Sequence, residues 1–277
     1  MTDKTKMKYS IGVFDSGFGG IQILKHIVKK LPEYNYIYLG DTARVPYGNR
    51  SQEVIYDYSV QAVDFLFKKG CKLIIFACNT VSSKALQEIQ KKYLPKYYPD
   101  KKVLGVIIPV SEEAILKTKN KRIGIIATRG TVSSGSFDRE ILKIDPEIKL
   151  FQQACPLLVP IVEAGEKESK VAEWMLQKYL KPILRNKVDT LILGCTHYRF
   201  LEKKIKKIIG GKVNIINEGK TIARKLMEYL TNHQEIEKVL QKKSELKFFT
   251  TDLTEGFEVM GSDFFGKKIK PEKITLD

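Results

Sequence analysis

Two apolar runs, each ending in a cysteine, constrain the fold of this chain more than anything else in it. In Lys72 to Ser82, KLIIFACNTVS, the residues Leu73, Ile74, Ile75, Phe76 and Ala77 lead into Cys78, Asn79 and Thr80. In Thr190 to His197, TLILGCTH, Leu191, Ile192 and Leu193 lead through Gly194 into Cys195, Thr196 and His197. A short unbroken apolar run bounded by polar residues has the composition of a strand buried on both faces, the kind that parallel sheets covered by helices contain. In such α/β folds ligands collect at the carboxyl ends of the strands, and both cysteines stand there.

The remainder of the chain repeats around these two strands. Ile11 to Phe14 (IGVF) is answered by Ile123 to Ile126 (IGII), and a further strand pattern begins 25 residues after each, at Tyr36 and at Ile148. Val103 to Ile108 and Val213 to Ile216 supply a fourth strand to each half. Each half thus runs strand, strand, cysteine strand, strand, with helical patterns between, which predicts two similar α/β domains with central, mainly parallel sheets. Right-handed crossovers place the carboxyl ends of a unit's parallel strands on one edge. Two pseudo-symmetric units facing each other would therefore put Cys78 and Cys195 on opposite walls of one cleft, with the active site between them.

Phe248 to Thr251 has strand character but no counterpart in the middle of the chain, so it is expected to return to the first unit. The expected division is a first domain of residues 1–102 plus 219–277, carrying Asp15 and Cys78, and a second of residues 103–218, carrying Glu163, Cys195 and His197. Helices are predicted from Ser51 as cap to Gly70, from Ser82 to Tyr93 ahead of Pro95 and Pro99, and from Thr221 to Leu230. At 277 residues and 43% hydrophobic content the chain can bury the core that two domains need.

Composition narrows the partners. Met1 to Ser10 carries charges but no apolar central segment, and no later apolar run reaches membrane-spanning length, so a cytoplasmic protein without a membrane partner is expected. The formal charge of +16 is spread as lysine doublets along the whole length, the pattern of solvated helix faces, and no nucleic-acid partner is expected. The turn Asp15-Ser16-Gly17-Phe18-Gly19-Gly20 follows the first strand and contains G-x-G, but Gln22 occupies the third glycine position and Asp15 would repel a pyrophosphate. A small anionic ligand near the backbone suits it better. The long loop Gly40 to Arg50, GDTARVPYGNR, lies at a strand's carboxyl end, where loops bind.

The four cysteines are too few and too scattered for a disulfide framework, and no C-x-x-C pair offers a zinc knuckle. Cys71 and Cys155 are expected to be small buried residues. Cys78 and Cys195 each precede a predicted helix, whose amino end is expected to lower a thiol pKa toward neutrality. A disulfide switch would need the sulfurs in contact. Zinc would need further ligands at spacings that are absent. Acid–base work on a carbon acid held between the thiols, one removing a proton and the other delivering one to the opposite face, uses a cysteine at the same place in each repeat.

The strings VFDSGFGG (Val13 to Gly20), GDTARVPYGNRS (Gly40 to Ser51), ACNT (Ala77 to Thr80), LVPIVEAG (Leu158 to Gly165) and GCTH (Gly194 to His197) together resemble the glutamate racemases of the aspartate/glutamate racemase superfamily, over nearly the whole chain. The resemblance implies cofactor-independent interconversion of L- and D-glutamate, with no metal, supplying D-glutamate for peptidoglycan. It implies that Cys78 takes the proton from D-glutamate and Cys195 from L-glutamate, that Asp15 assists Cys78, and that Glu163 and His197 assist Cys195. Substrate binding would fall to Asp15, Ser16, Tyr47, Gly48, Asn79, Thr80, Thr196 and His197. Homodimeric assembly is compatible with it. An aspartate or other amino-acid racemase of the same superfamily, or a non-catalytic two-lobed dicarboxylate-binding protein, would keep the same cleft.

Overall fold

A computed structural model describes residues 8–277 of the chain. The amino-terminal stretch read as lacking a signal sequence lies, for residues 1–7, outside the described residues. The strands are β1 (Ser10–Asp15), β2 (Tyr36–Gly40), β3 (Cys71–Phe76), β4 (Lys102–Gly105), β5 (Arg122–Ala127), β6 (Lys149–Ala154), β7 (Thr190–Gly194), β8 (Asn214–Ile215), β9 (Leu246–Thr250) and β10 (Pro271–Lys273).

They form two sheets, ordered β10-β9-β2-β1-β3-β4 and β6-β5-β7-β8, and every pairing is parallel. Stripped of β9 and β10, the first sheet has the order of the second: the first strand of each repeat sits centrally, with the second and the cysteine strand on its two sides. Ile11 pairs with Tyr36 in the first sheet as Ile123 pairs with Leu150 in the second. The late strand β9 joins the first sheet along β2, as its lack of a repeat partner suggested.

Alternation along the buried strands divides the core in two. Ile11, Val13, Tyr36, Tyr38, Leu73 and Ile75 face one way and merge into a single apolar cluster with Ile123, Ile125, Leu191 and Leu193 of the other sheet. Phe14, Ile37, Leu39, Ile74 and Phe76 face the other way, beneath the helix Gln52–Lys68. Ser51 Oγ caps that helix by accepting from the Val54 amide at 3.3 Å, and Gly70 follows it at φ +90°.

Two helices carry the chain between the sheets, Ile107–Lys117 outward and Glu218–Asn232 back. They pack together and are stitched by ion pairs of Arg224 with Glu113 and Lys225 with Glu112, each at 2.7 Å. Two expected elements differ. The strand expected through Ile108 ends at Gly105, and Ile107 and Ile108 already belong to the outward helix, whose first turn accommodates Pro109 where no helical amide is needed. The helix expected to begin at Ser82 begins at Asn79, is interrupted at Ala85, and continues through a π turn at Ile89–Tyr93.

Candidate active site

The carboxyl ends of β1, β2 and β3 face those of β5 and β7 across a small cavity of about 20 Å³. It is lined by Ser16, Val45, Pro46, Tyr47, Gly48, Cys78, Asn79, Thr80, Thr128, Val159, Cys195, Thr196 and His197. Cys78 and Cys195 reach it from equivalent strands of the two sheets, and both are at least nine-tenths buried.

The Cys78 wall is built by two strand ends. Asp15, the last residue of β1, is fully buried, and its Oδ1 accepts from the Gly17 amide at 2.9 Å. Ser16 Oγ lies 3.4 Å from Cys78 Sγ. Cys78 caps the helix Asn79–Lys84, yet its thiol is pushed up to about 11, first by burial and next by the Asp15 charge, against weaker help from Ser16 and the Val81 amide. The expected lowering toward neutrality does not occur, because the same enclosure that holds the thiol at the helix end strips it of water. Burial likewise raises Asp15, opposed chiefly by His197.

The opposite wall follows β7. Cys195 is raised well above the ordinary thiol range by burial and then by the nearby Cys78, so here too desolvation overrides the expected lowering. The element after it is a 3₁₀ helix, Thr196–Leu201, and not an α-helix. His197 is buried, with Nδ1 3.9 Å from Cys195 Sγ and Nε2 2.5 Å from Glu163 Oε1. Glu163 is the last residue of the short helix Leu158–Glu163 and keeps its side chain 26% exposed. Phe18 packs on the His197 ring at 5.1 Å between centroids.

The walls are in contact. Thr196 Oγ1 donates to Asp15 Oδ2 at 3.3 Å, and Thr80 Oγ1 lies 2.9 Å from Thr128 Oγ1, so hydroxyls of one half meet groups of the other. The approach is close enough to require glycine at two points. A Cβ on Gly19 would lie 2.4 Å from Thr196 Oγ1, and one on Gly48 would lie 2.8 Å from Thr128 Cβ.

Tyr47 and Gly48 arrive on the loop after β2, which contains a cis Val45-Pro46 bond. Its shape is set by buried Asp41, which accepts from Arg44 Nε at 2.6 Å, Thr251 Oγ1 at 2.8 Å and the Tyr47 hydroxyl. The expected site residues Asp15, Glu163 and the other nine are thus brought together, Asp15 and Glu163 standing immediately behind the cavity wall. Sequence reasoning passed over Asp41, Thr128 and Thr131, whose hydroxyls form a cluster with Thr80, and Glu218, which accepts from Asn79 Nδ2 at 2.9 Å. A threonine directly after a repeat-equivalent strand end was the available signal for Thr128. Among the described residues no group of three His, Cys, Asp or Glu side chains converges as metal ligands would.

Comparison with known proteins finds relatives over nearly the whole chain. Residues 11–226 match the Asp/Glu/hydantoin racemase family model. A glutamate racemase of Aquifex aeolicus is 40% identical, over 96% of this chain and 98% of that one. A glutamate racemase isoform from Bacillus anthracis superposes with a TM-score of 0.88 at 34% identity, covering 97% of this chain and 98% of its own. The Francisella tularensis glutamate racemase, solved in complex with D-glutamate, gives 0.87 at 32% identity and covers 98% of each chain.

Proposed function

The chain belongs to the Asp/Glu/hydantoin racemase family, and from that premise we propose that it interconverts L- and D-glutamate by passing the Cα proton between two thiols, without a cofactor. The observation that carries the proposal is the lining of one cavity by Cys78 and Cys195 from equivalent strands of two facing sheets. A substrate between them can lose its Cα proton to a thiolate on one wall, and the planar carbanion so formed can gain one from the thiol on the other. General acid–base transfer by positioned groups supplies roughly 10²–10⁴-fold, and a symmetric substrate pair calls for a group of the same chemistry on each face.

In this reading Cys78 acts on D-glutamate and Cys195 on L-glutamate. Asp15 assists Cys78. His197, oriented by Glu163, assists Cys195. Ser16, Tyr47, Gly48, Asn79, Thr80, Thr196 and His197 bind substrate together with Asp15, and the hydroxyls of Thr80, Thr128 and Thr131 are donors suited to a carboxylate. The domain division that goes with it is residues 1–102 plus 219–277 against 103–218; β4 continues the first sheet a few residues beyond that boundary. The D-glutamate formed serves peptidoglycan synthesis. Among the described residues no helix is long and apolar enough to cross a membrane, and a cytoplasmic location and a homodimer complete the proposal.

Incubation with L-glutamate in D₂O, without pyridoxal phosphate, is expected to give D-glutamate carrying deuterium at Cα. Exchange with aspartate alone would assign a neighbouring racemase, and tight glutamate binding without exchange would make the protein a dicarboxylate carrier. Cys78→Ser and Cys195→Ser are each expected to reduce racemisation by at least about 10²-fold. Wild-type turnover in either variant overturns the two-thiol assignment.

A further inference from the structure

Behind the Cys78 wall stands a carboxyl group from the far end of the chain. Glu218 begins the helix that returns from the second sheet to the first, directly after its cap, where Asn217 Oδ1 accepts from the Lys220 amide at 3.1 Å. The residue is partly exposed at the surface, but its carboxyl end is enclosed, and burial lifts it to about 8, with Asp15 adding to the rise and Asn79 and Arg199 opposing it. Its Oε1 accepts from Asn79 Nδ2 at 2.9 Å.

That single bond decides which way the Asn79 amide faces. Glu218 Oε1 is the acceptor here, as an oxygen of either an ionised or a protonated carboxyl group can be, so the amide meets it with its donor end, Nδ2. The other end, Oδ1, is then committed to be an acceptor. Asn79 is 1% exposed and lines the cavity beside Cys78, and its Oδ1 is buried without a protein partner among the described residues. A buried amide oxygen lacking a partner costs about 1–3 kcal/mol, so the site holds an unmet demand for a donor. An amino-acid substrate has one cationic donor group, its α-ammonium.

We propose that Glu218 is a positioning residue of this site, holding the Asn79 amide so that Oδ1 accepts a hydrogen bond from the substrate's ammonium group. The inference rests on the reading that an amino acid lies between Cys78 and Cys195. It gives the returning helix a direct part in substrate recognition, since movement of that helix relative to the first sheet would release the amide.

The test is steady-state kinetics with L- and D-glutamate on the full chain. Glu218→Met, which fills the space but accepts poorly, is expected to raise KM about tenfold, equivalent to about 1.4 kcal/mol, with kcat changed less than about threefold. Glu218→Gln, which retains an accepting oxygen, is expected to restore most of the affinity. In an Asn79→Ala background Glu218→Met should add less than about twofold, because residues acting through one bond are not additive. Should the Met variant fail to fold, Glu218→Leu, which likewise cannot accept, is read in its place with the same expected rise in KM. Unchanged KM in the Met or Leu variant, or multiplication of its effect with that of Asn79→Ala, overturns the inference. A wild type that exchanges no Cα proton of glutamate ends the functional reading and this one with it. An active wild type with unshifted variants ends this one alone.

Discussion

The charge that the proposed chemistry needs must be created at Cys78, and the structure opposes it. Burial and the Asp15 charge lift the thiol from the ordinary 9 to about 11, which is about 2.7 kcal/mol against the thiolate. The helix capped by Cys78 has 6 residues, and a helix amino end contributes roughly 0.3–1 kcal/mol, so desolvation wins. With a pKa of about 11, about one thiol in a thousand is ionised at pH 8, against about one in four for an unperturbed thiol at 8.5. Alkylation by iodoacetamide consumes only the thiolate, and peptide mapping by mass spectrometry isolates the Cys78 rate. In glutamate-free buffer the logarithm of that rate should climb with unit slope from about pH 7 to about pH 10, without a plateau below that. The protein unfolded in guanidinium should level off near 8.5–9. Restricted access to the buried thiol lowers the absolute rate but leaves the slope intact. Asp15→Asn, by removing the second cause of the rise, should move the plateau down. A plateau below pH 9 in the folded wild type would refute the reasoning.

Glu163→Gln replaces the carboxylate 2.5 Å from His197 Nε2. It should lower kcat/KM by roughly tenfold to a hundredfold, short of what a proton-transferring group itself supplies. The loss must be equal in both directions, since enantiomers have equal free energy, but deuterium incorporation from L-glutamate should fall more than from D-glutamate. Equal losses of exchange would detach Glu163 from the Cys195 wall. Gly19→Ala drives a methyl group to 2.4 Å from Thr196 Oγ1, so the walls cannot meet. Turnover is expected to fall at least about 10²-fold, as displaced catalytic groups do, while the thermal midpoint moves by only a few degrees. A large thermal shift with retained turnover would contradict this.

The parts of the molecule legible in its sequence are those with a local signature. Four apolar residues and an alanine before Cys78 and three apolar residues before the glycine ahead of Cys195 announce buried strands, and their repetition announces two sheets of the same order. Ser51 and Gly70 mark a helix because capping is written into adjacent residues. The Asp41 loop network has no such signature: Thr251 reaches Asp41 from 210 positions away in sequence. Glu218 reaches Asn79 across 139. Its only local trace is an acid in the first turn of a helix, which is ordinary. The thiol pKa values were misjudged for a related reason. Helix position is a local fact, whereas desolvation depends on the opposite wall, and no stretch of sequence near Cys78 contains that wall.

The remaining question is how one thiolate and one thiol coexist. The enclosure raises both groups, so at rest both are protonated in the main. Yet the Cys78 charge is itself a cause of the rise at Cys195, second only to burial. Ionising one wall therefore makes the other harder to ionise, and the pair titrates as a coupled unit in which a singly ionised state precedes the doubly ionised one. That state is the one racemisation requires: a base on one face and an acid on the other. Whichever thiol gives up its proton first, the other is held as a thiol by repulsion, and after the proton has crossed the substrate the same repulsion supports the mirror arrangement. The symmetry that the repeated strands bring to the cleft thus does more than supply two cysteines. It lets each turnover leave the charge on the opposite wall, as the thiolate that the product enantiomer needs for the return reaction.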